Sequence, residues 1–170
     1  MGDTLFDQVD DDGEFCPHCK QKIRKLNPHR MDLQKWKVLD SMARLQMMGH
    51  AWVRVEHGNK IGAGDDVLAT SYRAEAHVGR LKWFGLVDHK GHRTGEYRVN
   101  RAGFEFLSGR GFIPEVIWCR DGRVVKRSTE TVRVDQIKKI ILTKEYWDRY
   151  SQVQVPWPRD NNTGESDDSD

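Results

Sequence analysis

Residues 71–107 read SYRAEAHVGRLKWFGLVDHKGHRTGEYRVNRAGFEFL, and this stretch decides the fold. Ser71 is a residue type that favours the N-terminus of a helix, and Gly85 is typical of a helix end. Two short β-type runs follow, at Leu86-Val87 and at 96–99, around a basic loop that contains glycine. The pattern therefore predicts one helix of about four turns and then a two-stranded hairpin.

The predicted helix has two different faces when its residues are placed 100° apart. Ala74, Val78 and Leu81 form a narrow apolar stripe, which we expect to face the core. The opposite side carries Tyr72, Arg73, Ala76, Arg80 and Trp83, with His77 at its border. Two guanidinium groups separated by a small residue suit a helix that reads base edges in the major groove of DNA.

The loop at residues 89–95, HKGHRTG, adds three basic side chains beside this helix. Lys90, His92 and Arg93 are the residues that we expect to contact phosphate. Helix, strand, basic loop and strand in this order are typical of a winged helix.

Several of these residues carry a resemblance to a known family: Arg80-Leu81, Gly85-Leu86-Val87, the charged loop, Tyr97-Arg98-Val99-Asn100, Gly103 and Leu107. This segment resembles the recognition helix and wing of MarR-type winged-helix transcription regulators, with Asn100 where that family usually has Thr. The resemblance implies a winged helix-turn-helix that binds double-stranded DNA. The whole chain is also similar, more loosely, to small phage-encoded proteins of unassigned function, which implies a bacteriophage origin.

Composition and charge set the class of protein and of partner. The chain has 170 residues, 37% hydrophobic and 32% charged, and no apolar run approaches the ~20 residues of a membrane helix. The acidic N-terminus lacks the apolar core of a signal peptide, so we expect a cytoplasmic protein. Residues 1–15 hold six acids and no Lys or Arg, and residues 159–170 hold five acids and one Arg. Of the 28 basic and 26 acidic residues, 27 and 15 therefore lie in residues 16–158, a balance that favours a polyanionic partner.

A second motif is Cys16-Pro17-His18-Cys19, near the N-terminus. Two cysteines at this spacing can bind one tetrahedral zinc ion, and the best ligand set is Cys16, Cys19 and His29, with Cys119 or a more distant His as the fourth. Two other interpretations stay open. The motif could be a redox dithiol, although no βαβ pattern surrounds it, or a turn without metal.

The rest of the chain completes an α+β architecture. We predict a helix over residues 33–48, a strand over 51–55 that pairs with the wing, and a brief positioning helix that Asp65 or Asp66 caps and that runs through Ala69. After a helix at 101–108, Asp121-Gly122 predicts a β-hairpin, a third strand could follow at 131–134, and Asp135 and Thr143 would cap two helices.

The predicted organisation has five parts. These are an acidic disordered tail (1–14), a zinc-knuckle-like segment (15–30), the winged helix (31–109), a hairpin and helical extension (110–158) and a second acidic disordered tail (159–170).

Three expectations on function complete the sequence analysis. No serine elbow and no His-Glu-x-x-His helix occur, so we expect no enzyme activity. The alternative to DNA binding is a module that binds a host or phage protein, for instance a polymerase or replication component. Homodimerisation is open, because the long terminal helices of MarR-type dimers have no counterpart here.

The zinc prediction can be tested by metal analysis of the purified chain. We expect one zinc per chain, and we expect the Cys16→Ser variant to lose it, because that change removes a thiolate ligand. A wild-type chain that purifies without zinc would contradict the knuckle.

Overall fold

The fold of the chain is α+β. The computed structural model describes residues 18–20, 25–56, 60–69, 73–91 and 93–153, so Cys16, Tyr72, His92 and both predicted tails lie outside the described residues. The helices are α1 (Leu33–Met47), α2 (Ala74–Trp83), α3 (Arg101–Leu107) and α4 (Lys144–Ser151). The strands are β1 (Asn27–Arg30), β2 (Val53–Val55), β3 (Lys60–Ala63), β4 (Asp66–Ala69), β5 (Val87–His89), β6 (Glu96–Val99), β7 (Ile113–Pro114), β8 (Val116–Arg120), β9 (Arg123–Arg127) and β10 (Thr131–Val132).

Helix α1 is the centre of the core. Asp32 caps it by accepting hydrogen bonds from the backbone N–H groups of Gln34 and Lys35, each at 3.0 Å. Its buried side chains include Val38, Leu39, Met42, Ala43 and Leu45. The predicted helix over 33–48 is therefore confirmed, and it begins directly after Asp32.

Five antiparallel strands form the main sheet, in the order β4-β3-β2-β6-β5. One face packs on the helices through buried Val53, Val55, Ile61 and Val99. The strand predicted over 51–55 is observed as the shorter β2. It pairs with β6, which follows the basic loop, and Val53 lies opposite Tyr97, as the predicted pairing requires. The Gln46 side chain of α1 bonds both the N–H and the C=O of Val99, which joins α1 to this sheet.

The brief positioning helix predicted at residues 65–69 is wrong, because this segment is strand β4. It forms a hairpin with β3, in which Val67 lies opposite Gly62 and Leu68 opposite Ile61. A helix of about four residues makes too few hydrogen bonds to be stable alone. Pairing with β3 gives these backbone groups partners and places Leu68 against the core.

Strands β5 and β6 agree with the prediction, and α2 lies where it was predicted. The helix begins only at Ala74, with Arg73 at its N-cap position and no side-chain capping bond, so the predicted start at Ser71 and the length of four turns are wrong. Ala74, Val78 and Leu81 are all buried, and Gly85 adopts φ +75°, a conformation that favours glycine after a helix. Asn100 caps α3 by accepting from the N–H of Gly103 at 3.0 Å, and its amide donates to the carbonyl of Gly85 at 2.9 Å. The end of α2 and the start of α3 are thus held together by one side chain.

A second sheet contains β1, β8 and β9, in that order. The predicted hairpin is confirmed, and its turn residues Asp121 and Gly122 have φ values of +52° and +75°, as in the favoured two-residue hairpin turns. Strand β1 pairs with β8, so residues from the predicted zinc segment and from the C-terminal extension share this sheet. Strands β7 and β10 form a separate short pair.

The predicted helix from Asp135 to Leu142 is also wrong. A 3₁₀ helix covers only Val134–Gln136, and Lys139 has φ +69°, which interrupts any helical path. Helix α4 does begin at Thr143, whose hydroxyl accepts from the N–H of Tyr146. It is fixed to the core by the Tyr146 hydroxyl, which donates to the Leu107 carbonyl at 2.6 Å, and by the Tyr150 hydroxyl, which donates to Asp40 at 2.6 Å.

The helices in the described part of the chain are all too short or too polar to cross a membrane.

Gly103 gives a test of the packing between α3 and the wing strands. A Cβ there would overlap the Leu86 carbonyl and lie 2.5 Å from Val99 Cγ1. We therefore expect Gly103→Ala to lower the free energy of unfolding by at least about 2 kcal/mol in urea denaturation.

Gly79→Ala is the matched control for this change. An added Cβ at Gly79 meets nothing within 4 Å, so we expect stabilisation of roughly 0.5–1 kcal/mol from the gain in helix propensity. Equal effects of the two substitutions would contradict the close approach at Gly103.

Candidate nucleic-acid interface

The outward side of α2 is open along its N-terminal half. Arg73 and Ala76 are exposed, and the space beside Gly79 is empty to at least 4 Å from a would-be Cβ. We call Arg73, Ala76, Gly79 and Arg80 the α2 face. Its small residues allow the helix backbone to approach a flat or grooved partner closely, with Arg73 at one end and the half-buried Arg80 at the other.

His77 does not lie on this face. Only 4% of it is exposed, so His77, which the sequence placed at the border of the outward side, belongs to the buried side and is not available for a contact with DNA. Burial lowers the pKa of His77, the charges of Lys35 and Arg80 lower it further, and Asp32 acts in the opposite direction. At 100° per residue His77 borders the apolar stripe, and here that border is covered by the packing of α2 on α1.

Strand β1 covers the C-terminal end of α2. The His29 ring lies 5.0 Å from the Trp83 ring, centroid to centroid, at an angle of 47°. Burial lowers the pKa of His29, and the nearby charges of Arg80 and Lys35 lower it further. Arg80 is therefore beside a strand that the sequence analysis placed in a separate segment. Arg80, the second arginine of the α2 face, is half-buried.

Lys35 is the buried charge at this junction. It is 4% exposed, and its ammonium group is paired with the Asp32 carboxylate. Burial alone would raise the pKa of Asp32, but the hydrogen bonds and charge of Lys35 hold it below its ordinary value. One carboxylate thus caps α1 and compensates a buried lysine. We call Asp32, Lys35, His77, Arg80 and His29 the junction cluster.

Two of the three cations of the loop between β5 and β6 lie within the described residues. Lys90 and Arg93 are both exposed, but Lys90 also forms an ion pair with Glu96 at 3.1 Å. Lys90 Nζ lies 5.8 Å from the centre of the Trp52 ring, and the Arg98 guanidinium lies 4.8 Å from it. Arg98 is in turn paired with Asp88 at 3.0 Å. Trp52 therefore organises the cations at the base of the wing.

The outer face of the main sheet carries basic and aromatic residues that the sequence analysis did not single out. This face contains an open pocket with a volume of about 510 Å³. The pocket is lined by Trp52, Arg54, Glu56, Lys60, Gly62, Ala63, Gly64, Val67 and Glu96. Arg54 and Lys60 are exposed. The alternation in AWVRV was the available signal, because it places Trp52 and Arg54 on the same side of the strand.

The described residues do not assemble the predicted zinc site. No three His, Cys, Asp or Glu side chains among them are grouped as metal ligands. Cys19 is exposed, Cys119 is buried in β8, and the His29 ring packs on Trp83. Burial raises the pKa of the Cys119 thiol, although Arg127 opposes this. Because Cys16 is outside the described residues, zinc binding by Cys16, Cys19 and His29 stays a prediction.

Comparisons with known proteins add no assignment: no family model, curated protein or solved structure matches the chain.

The junction cluster predicts a pH dependence of stability. Because the pKa values of His77 and His29 are lowered by folding, the unfolded chain binds more protons just below pH 6.5, and the free energy of unfolding falls as the pH falls. The buried His77 alone can add up to about 1.4 kcal/mol per pH unit. Asp32 does not enter this window, since its contribution is lost only below about pH 3.8.

Urea denaturation at pH 7, 6 and 5 measures this slope. We expect His77→Gln to reduce the slope of the free energy of unfolding against pH, whatever effect the substitution has on stability at pH 7. His50→Gln removes a histidine that pairs with Asp66 away from this junction and should keep the acid sensitivity. If the wild type is equally stable at all three pH values, neutral burial of His77 is wrong.

Proposed function

We propose that this chain is a winged-helix protein that binds double-stranded DNA, as a transcription regulator or an accessory factor of a bacteriophage. The observation that carries the proposal is the α2 face: an open helix surface with Arg73 and Arg80 around two small residues. On this proposal α2 enters the major groove. Arg73 and Arg80 contact base edges there, together with Tyr72.

The order of elements supports this role for α2. The sheet places β2 beside β6 and β6 beside β5, and α2 directly precedes β5. This is the arrangement expected of a wing with its recognition helix. The β3–β4 hairpin stands where a helix-turn-helix protein has its positioning helix, so α2 is supported chiefly by its packing on α1.

The wing and the charge balance support a polyanionic partner. Arg93 is exposed at the tip of the loop between β5 and β6, and Lys90 is exposed at its start. With His92, they are the proposed phosphate contacts. The excess of 27 basic over 15 acidic residues in 16–158 would draw DNA toward the protein over a distance set by the salt concentration.

A second candidate function is binding to a host or phage protein such as a polymerase or replication component. Two observations favour it. Lys90 of the loop is paired with Glu96, and Arg98 of β6 is paired with Asp88, which lowers the net positive charge of this region. In addition, Phe112 and Ile141 are 63% and 83% exposed. A specific partner that the wild type retains from a nuclease-treated lysate, with no measurable affinity for duplex DNA, would favour this function over the first.

The decisive variant is Arg73→Ala combined with Arg80→Ala. Each bidentate arginine contributes about 1–3 kcal/mol of discrimination, so we expect affinity for the preferred duplex to fall roughly 30-fold or more. Electrophoretic mobility shift at constant salt measures this, after selection of the preferred site from random duplexes.

Arg44→Ala with Arg110→Ala is the control, since it removes the same charge from exposed positions elsewhere. If the two double variants bind the selected duplex equally well, the assignment of α2 to the groove is wrong.

A further inference from the structure

We propose that the outer face of the β8–β9 hairpin is a second nucleic-acid contact, which binds the phosphate backbone of the duplex. We call Trp118, Arg120, Arg123 and Lys126 the hairpin face. The inference rests on the proposed function but concerns residues that play no part in the α2 face.

The strand register places these four side chains together. Trp118 lies opposite Lys126 and Arg120 opposite Arg123, and directly opposed residues share one face of a sheet. Trp118 and Arg120 are two residues apart in β8, so they also point to the same side. The intervening Cys119 and the preceding Ile117 are buried, which fixes the other side of β8 toward the core.

Two features of Arg120 favour an anionic partner. Its Nε and Nη2 atoms are shielded from solvent and have no hydrogen-bond acceptor among the described residues. It also lies directly opposite Arg123, an arrangement of like charges that destabilises a sheet. A shielded donor without an acceptor destabilises the protein. The free energy would therefore fall if this guanidinium turned toward a phosphate oxygen and donated a hydrogen bond to it.

The remainder of the hairpin has the same sign of charge. Residues 116–127 contain four basic side chains and a single acid, Asp121 at the turn. Arg123, Lys126 and Arg127 of β9 are all exposed. Lys126 Nζ lies 5.5 Å from the centre of the Trp118 ring, which holds that ammonium group over the outer side of the sheet.

A phosphate backbone fits this surface better than a base edge or an apolar partner. The hairpin face presents three cations along two paired strands. The regularly spaced phosphates of a nucleic-acid strand can contact several of these cations at once. Such contacts carry no sequence information. The hairpin would therefore add affinity and salt dependence, whereas the α2 face would supply the sequence preference.

The test compares the salt dependence of duplex binding between two triple variants. Arg120→Gln, Arg123→Gln and Lys126→Gln together remove the hairpin cations, and Lys138→Gln, Lys139→Gln and Lys144→Gln remove the same charge from exposed positions elsewhere. Each lost phosphate contact should make the slope of log K against log salt shallower by about 0.9. We expect a change of about 2 to 3 for the hairpin variant and of less than about 0.5 for the control.

Arg120 is half-buried, so Arg123→Gln with Lys126→Gln serves as a second variant in which Arg120 is intact. Its slope should change by about 1 to 2, and its urea midpoint should match that of the wild type. A hairpin variant with the slope of the control would overturn the inference. So would equal affinity of the wild type for polyglutamate and for duplex DNA at the same salt.

The two proposals fail in different ways. If Arg73→Ala with Arg80→Ala abolishes site preference while the hairpin variants behave like the control, the hairpin contact is wrong and the α2 face stands. If the hairpin variants lose salt-dependent affinity and the α2 variant binds like the wild type, the hairpin contact stands and the groove assignment fails.

Discussion

Burial of the apolar face of α1 is the interaction on which the rest of the structure depends. Its Leu39, Met42 and Leu45 are fully covered, and each such side chain contributes roughly 1.5–3 kcal/mol to folding. Strands β2, β3 and β6 pack on one side of α1, and α2 packs on another. Because the Ala74, Val78 and Leu81 stripe of α2 must meet α1, the opposite surface of α2 has to face outward. The candidate interface is thus a consequence of core packing.

The junction cluster makes the position of α2 depend on polar groups as well. A buried ammonium group such as that of Lys35 is tolerated only with a close counter-charge, which Asp32 supplies. The same carboxylate begins α1, so the start of that helix and the compensation of the buried charge depend on one residue. His77 of α2 lies close enough for both charges to act on its pKa. The two helices are therefore coupled electrostatically beside their apolar contact.

Much of this arrangement could be predicted from the sequence, where local chemistry and tertiary packing agree. Thr143 was predicted to cap a helix and Asp121-Gly122 to form a hairpin turn, and both predictions are confirmed. The predictions were wrong where the local sequence preference was weak and contacts with distant segments were strong. Residues 65–69 include an Asp that could cap a helix, but the segment is too short to form a stable helix alone. Pairing with β3 therefore determines its conformation.

The sequence predicted the exposed side of α2 correctly but not how far along the helix that side stays uncovered. Periodicity correctly separated the buried stripe of α2 from exposed Arg73 and Ala76. It could not reveal that His29, 54 residues before Trp83 in the chain, packs on that end of the helix. Contacts between distant segments leave no periodic trace in either segment. The same reason explains why the role of Trp52 beneath Arg98 was missed.

Strand β9 also has a consequence for self-association. Among the described residues it is the last strand of the three-stranded sheet, and an edge strand can pair with a strand from another molecule. Here that edge is lined by Arg123, Lys126 and Arg127, so two copies brought together along it would oppose three cations with three cations. Mutual repulsion keeps this edge from growing into a continuous intermolecular sheet. This repulsion disfavours a homodimer in which two copies of β9 pair.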